Sequence, residues 1–334
     1  MLLSSDRSVQ LTKDLLQGAI DIHVHPGPHL LSSPRRLDPI EAAIDARDNG
    51  MRAMVLLDVF NMSNGISWLI NRHVPGFTAF GGLILNTNYG GMNPRAWKTA
   101  IYYGDGAKYL QFGTHSTYYQ AAKEGRMVDG KFKSLADIYP KFREEELNRA
   151  IRIPIDEDPD EKLDEILTLL AENPHIYMDT GHVSIEEALR LVDLRKKYGY
   201  NRIIISSSVT KLASIDQMKH MANNNAFIEF SLASYTAAQM VPLTHYYIEK
   251  EYASIDEGMT EGGSNSIRVV AEQIKELGAK HVIMSTDFGR YGLSTPVEGL
   301  RQFISLMLDL GITPDEITMM VKTNPEKLLG LDPL

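Results

Sequence analysis

A parallel α/β barrel of the TIM-like (β/α)8 type is the fold class that this sequence predicts, and three observations predict it. Short apolar runs alternate with amphipathic stretches that carry helix punctuation. The alternation repeats eight times along the chain. The apolar runs are near-continuous, as expected of strands covered on both faces of a parallel sheet, and eight such units suffice for the sheet to close. A doubly wound open sheet is the competing architecture, but no glycine-rich phosphate fingerprint follows the first strand. At 334 residues and 43% hydrophobic, the chain suits a single domain spanning residues 1–334.

The elements follow in order. "AIDIHVH" is the first strand, and "DPIEAAIDARDNG" the first crossover helix, with Asp38 as cap, Pro39 in the first turn and Gly50 as the left-handed stop. "RAMVLLD", "FTAFGGLIL" and "AKYLQFG" supply strands two to four, and "NPRAWKTAIYYG" is a helix that again opens on a cap and a proline. "DEKLDEILTLLAENP", a helix, leads into the fifth strand, "HIYMDTG". In "SIEEALRLVDLRKKYG", Ser184 and Glu187 read as a capping box and Gly199 as the stop. "RIIISS", "AFIEFS" and "HVIMSTD" complete the set.

Two stretches exceed ordinary loop length, residues 114–158 after strand four and 232–263 after strand seven. Both leave from the carboxyl ends of their strands. They read either as lids, the second bringing Tyr235, Tyr246 and Tyr247 to a pocket, or as packing and oligomer surface.

Composition removes several function classes. A formal charge of −9 argues against nucleic acid or an anionic membrane as the main partner. The chain contains no cysteine, so a metal must be held by histidine and carboxylate. Asp6 and Arg7 arrive too early for the apolar core of a signal peptide, and no apolar run reaches membrane-spanning length. These features lead to the expectation of a cytoplasmic protein with a small-molecule partner, and symmetric assemblies are common enough to expect a homo-oligomer.

His23 and His25 stand two positions apart at the end of the first strand, so strand alternation sends both to one side together with Asp21. Two converging imidazoles can fill two positions of a metal, provided that each outer ring nitrogen is held by a carboxylate or carbonyl. Alternatively they are hydrogen-bonded core histidines. His182 after the fifth strand and Asp287 after the eighth strengthen the metal reading, because in a parallel sheet the carboxyl ends of the strands are where sites form.

On these residues the chain resembles the amidohydrolase superfamily of metal-dependent barrels. "DIHVHPGP", "DTGHVSIEEAL", "STDFG" and the closing "TNPEKLLGL" are similar to that superfamily's motifs and stand in the same order. The resemblance implies that His23, His25, His182 and Asp287 are metal ligands and that Asp287 also acts as general base toward the metal-bound water. It departs from the usual pattern at strand six, where "IIISSSVTK" puts Ser207 or a neighbour in place of histidine. Strand four also lacks a bridging lysine or glutamate at its carboxyl end, and both departures favour one divalent ion over two. Imidazole and carboxylate suit zinc, manganese, iron or nickel, with zinc the first expectation.

The expected activity is hydrolysis of an amide, cyclic amide or ester bond of a small molecule, since a divalent ion brings the pKa of bound water from about 15.7 to about 7. A decarboxylase of the same superfamily, or a noncatalytic ligand-binding barrel, are the alternatives. His29, Asp58, His115, Ser207 and Arg290 are further substrate-binding candidates, with Arg290 suited to gripping a carboxylate in bidentate fashion. Asn61, Asn86, Asn88, Gln111 and Glu229 also follow or occupy strands and either line the pocket or satisfy loop backbone.

Overall fold

The structure is a computed structural model that describes residues 5–31, 33–235, 259–260 and 266–333. Its strands are β1 (Ile20–Val24), β2 (Ala53–Leu56), β3 (Thr78–Phe80), β4 (Gly82–Ile84), β5 (Tyr109–Gln111), β6 (Glu124–Val128), β7 (Lys131–Ser134), β8 (Tyr177–Asp179), β9 (Ile203–Ile205), β10 (Phe227–Ser231), β11 (Met259–Thr260) and β12 (Val282–Ser285). Two parallel sheets carry the architecture, one ordered β1-β2-β3 and the other β12-β10-β9-β8-β5-β4, with helices between successive strands. The fold is α/β, and the carboxyl ends of the strands in each sheet point one way.

The third apolar run of the sequence is one segment that serves both sheets. β3 pairs with β2 and β4 with β5, and Gly81 lies at the break. A Cβ on Gly81 would come within 2.3 Å of the Asn64 amide nitrogen, so the helix Asn64–His73 begins against a backbone that only glycine permits. At the other margin, Val24 forms an isolated parallel bridge with Phe288 just beyond β12. The His25 N–H donates to Phe288 O, and the Asp287 N–H to His23 O, each at 2.8 Å.

Local chemistry accounts for the helices. Asp38 and Glu41 form a capping box for Pro39–Asp48, and Gly50 follows at φ 80°. Asn93 accepts from the N–H groups of Arg95 and Ala96 at the start of Pro94–Tyr102. Ser184 and Glu187 box the start of Ile185–Tyr198, which Gly199 ends in the left-handed conformation.

Alternate strand positions fall in different apolar clusters: Ala53 and Val55 join Ile20, Ile22, Tyr109 and Ile283, whereas Met54 and Leu56 pack with the helices. Both faces are therefore buried, as continuous apolar strands require. The amino ends of the strands are sealed by the chain's last helix, Asn324–Leu329. Asn324 donates from Nδ2 to Ala279 O and Val282 O, each at 2.7 Å, and Leu328 and Leu329 are fully buried.

The segment between β5 and β8 contains the antiparallel hairpin β6–β7 and the short helices Leu135–Ile138 and Pro140–Glu145. β11 adds to this hairpin, with Met259 opposite Gly125 and Thr260 opposite Glu124. The two long stretches singled out in the sequence thus share one small sheet. Tyr235 lies against Phe230 with its hydroxyl buried, whereas Tyr246 and Tyr247 fall outside the described residues. Among the described residues no helix is long and apolar enough to cross a membrane.

Candidate metal centre

His23 belongs to β1, and His25 follows it as the chain leaves the strand. His25 Nδ1 lies 2.6 Å from Leu57 O. A carbonyl only accepts, so His25 carries its proton on Nδ1 and presents Nε2 as a lone pair. His23 Nδ1 lies 2.8 Å from Glu229 Oε1 on β10, and Glu229 is itself held by Ser285 Oγ at 2.7 Å and the Ser207 N–H at 2.8 Å. The two inner nitrogens then meet 3.1 Å apart, with Asp287 Oδ1 3.0 Å from His25 Nε2 and 3.6 Å from His23 Nε2.

The three inner atoms converge on one point where either a proton or a metal cation must sit between them, and among the described residues these three form the one group of this kind. The donor set fits a divalent ion: two imidazoles oriented by a carboxylate and a carbonyl, plus one carboxylate, is chemistry suited to zinc and its neighbours. Asp287 takes up its place at φ 56°, a left-handed conformation that is costly for a residue with a Cβ and that recurs at functional sites.

Electrostatics agree with this account. Burial opposes a charge on His23, but Glu229 and Asp287 beside it outweigh burial and raise its pKa to about 10, so without a cation a proton is retained there. His25 is lowered by burial. Burial would raise Asp287, yet His23 and His25 hold its carboxyl well below the usual range. Asp21 sits deeper, accepting from Thr286 Oγ1 at 2.5 Å and from the His23 N–H at 3.1 Å, and burial raises its pKa to about 7.

The other residues singled out in the sequence surround this group. His182 lies outside the close trio. Its Nδ1 is buried without a hydrogen-bond partner, its ring centroid is 5.8 Å from that of His115, and burial, then His115 and Lys211, push its pKa well down. His115 is held by Glu124 at 2.8 Å. His29 packs edge-on to Phe60 at 5.0 Å and is kept neutral by burial and by Arg35. Asp58 accepts the N–H groups of Phe60 and Asn61, and burial raises its pKa. Ser207 acts through its backbone, on the carboxylate that orients His23, while its hydroxyl is buried without a partner. Arg290 is within electrostatic reach of Asp287.

Sequence reasoning did not assign a role to Glu229, single out Lys211, or find Arg35. Burial lowers the pKa of Lys211, while Asp287 and Glu124 raise it. A carboxylate on an apolar strand was the available signal for Glu229. No local signal marks Lys211 or Arg35, because their proximity to Asp287 depends on tertiary packing.

Residues 18–229 match the model of a protein family described as a family of unknown function, DUF6282. No curated protein is significantly similar to the chain in sequence. In three dimensions the chain is similar to the probable dipeptidase PvdM from Pseudomonas aeruginosa, with a TM-score of 0.61 at 12% identity over 98% of each chain. An amidohydrolase from the same organism gives 0.55 at 12% identity, covering 96% of this chain and 98% of that one. An amidohydrolase from Burkholderia multivorans with bound zinc gives 0.54 at 9% identity, covering 94% and 99%. At such identities the likeness is one of fold.

Proposed function

The chain belongs to DUF6282, a family of unknown function, and from its strand-end site we propose that it is a metal-dependent hydrolase of the amidohydrolase superfamily. The reading takes the parallel strands as an eight-stranded closed barrel, for which the Val24–Phe288 bridge and the division of one strand into β3 and β4 are the support. One observation carries the functional reading: two imidazoles with outer nitrogens anchored and a carboxylate converge as acceptors within 3.0–3.6 Å.

His23, His25 and Asp287 would hold one divalent ion, zinc first and manganese, iron or nickel as alternatives, with the unpartnered Nδ1 of His182 available as a further donor. Such an ion supplies Lewis acidity, polarising a carbonyl and making water acidic enough to attack it near neutral pH. Glu229 fixes the tautomer of His23, and the Leu57 carbonyl that of His25. Asp287 receives the proton given up by the attacking water and returns it to the leaving group. The bond cleaved is an amide, cyclic amide or ester of a small molecule. The acidic chain charge accords with a partner that is neither nucleic acid nor membrane, and the reading includes a cytoplasmic location and a homo-oligomer.

Metal content per chain, by mass spectrometry on untagged protein and on His25→Ala, tests this. About one ion in the first and little in the second is expected for a closed ligand set. A screen of cyclic amides, lactones and carboxylates then identifies the bond. No ion even after reconstitution would reassign the chain as a noncatalytic barrel, and release of carbon dioxide in the screen would make it a decarboxylase.

A further inference from the structure

A cavity of about 250 Å³ lies beyond the carboxyl ends of β2, β4 and β5, and the long stretch that follows β5 forms its outer wall. Val59 and Phe60 make an apolar side, and Thr87, Ser116 and Glu146 a polar one. Its lining joins it to the metal centre. Val59 stands two residues beyond Leu57, whose carbonyl holds His25, and the ring of His115, also in the lining, is 5.8 Å from that of His182.

Glu146 enters from the end of the helix Pro140–Glu145 and is held from the side of the strands. Its Oε2 accepts from Thr87 Oγ1 at 2.7 Å and from Ser116 Oγ at 3.3 Å, and these two hydroxyls are 3.0 Å apart. Both donors act on one oxygen, which fixes the direction of the carboxylate. Among the described residues, Oε1 has no hydrogen-bond partner and no lysine, arginine or histidine forms an ion pair with Glu146. Glu145 and Arg149 also line the cavity, but both are exposed at its rim and opposite in charge, so the half-buried Glu146 sets the sign inside. His115 is already tied to Glu124.

The geometry points to Glu146 as the seat of a substrate ammonium group, making the substrate of the proposed hydrolase an amine-bearing amide whose apolar part lies on Val59 and Phe60. A carboxylate oxygen accepts strongly from a cationic N–H donor, and a cavity of this size takes a small group rather than a nucleotide. A divalent ion would find one open carboxylate oxygen here, where it needs several oxygen ligands. An anion would meet the charge of Glu146 directly. The substrate class rests on the hydrolase reading, whereas the ammonium subsite itself does not.

Binding to EDTA-treated protein separates the two. Leucinamide and isocaproamide, the same molecule without its amino group, are titrated calorimetrically at about pH 6.5, below the pKa of an α-amino group. Leucinamide should bind at least about tenfold more tightly, and Glu146→Gln should bring it down to the affinity of the neutral amide. Glutamine leaves an oxygen for the Thr87 and Ser116 hydroxyls, so this variant should keep the wild-type melting temperature. Arg149→Gln should tighten leucinamide, because it removes a cation from the rim. No binding of leucinamide to the wild type, equal binding of the two amides, or undiminished binding by Glu146→Gln would overturn the assignment. So would weaker binding by Arg149→Gln, or a fall of several degrees in the melting temperature of Glu146→Gln, which would make the carboxylate a structural tie. An enzymatically silent protein that still prefers leucinamide through Glu146 keeps the subsite and loses only the hydrolase reading. A metal-loaded enzyme that cleaves both amides equally well keeps the hydrolase reading and overturns the substrate class.

Discussion

The two ends of the parallel strands are built on opposite terms. At the amino ends, polar groups meet partners of the opposite kind: Asn324 donates to the carbonyls of Ala279 and Val282, and Arg52 meets Glu326 at 2.5 Å. At the carboxyl ends, like groups converge: His23 Nε2, His25 Nε2 and Asp287 Oδ1 crowd one point, and Arg35 stands opposite Arg290 across a bridge. A protein interior tolerates such opposition only where something else completes it. The first end is therefore a closure and the second is where the proposed site lies, although both carry motifs by which the chain resembles one superfamily.

Substitutions at the two ends should separate cleanly. Asp287→Asn should reduce turnover by about three orders of magnitude, as loss of a general base does. Its circular dichroism should stay native, because asparagine accepts the φ of 56° found there. Asn324→Ala should do the reverse, removing two buried side-chain hydrogen bonds and costing about 1–3 kcal/mol in urea denaturation while metal content is unchanged.

Glu229→Gln probes the support of the candidate site and should weaken metal binding about 10–100-fold in competition titrations against a chelator, with a lower melting temperature for the metal-free protein because a buried pair with His23 is broken. A loss as complete as that of His25→Ala would instead place Glu229 among the ligands.

The smallest effect concerns Asp179, whose pKa burial and the nearby Glu229 raise to about 7. A carboxyl with a folded pKa above its unfolded value binds its proton more tightly when folded, so its contribution is present at low pH and lost as pH rises from about 4 to about 7. Metal-free protein should lose stability between about pH 4 and about pH 7 through this group, and Asp179→Asn, which keeps the acceptor for the Gly181 N–H, should flatten that slope. An unchanged slope would mean that other groups carry it.

What the sequence made legible was local. Strand periodicity, the caps at Asp38 and Ser184 and the stop at Gly199 depend on neighbours within a few residues, and the two adjacent histidines announce themselves in the same way. The division of the third strand depends on Asn64 pressing on Gly81, which no periodicity shows. His23 finds Glu229 across 206 positions, and Arg35 finds Arg290 only through an isolated bridge, so neither partner could be read before the strands were placed. His182 was legible as a candidate ligand by motif, whereas the turn just before it depends on Gly181, where a Cβ would strike Gly113 O at 2.2 Å.

The hydrogen bonds that join His23 to Asp287 and His25 to Phe288 connect the first strand of the chain to its last. During synthesis the two histidines emerge early and must wait for almost the whole polypeptide before Asp287 exists to face them. An ion held by all three groups favours only the finished molecule, by a mass-action gain that partly folded chains cannot share. On the proposed metal reading, loading would record completed folding, and a chain cut before β12 should hold no ion.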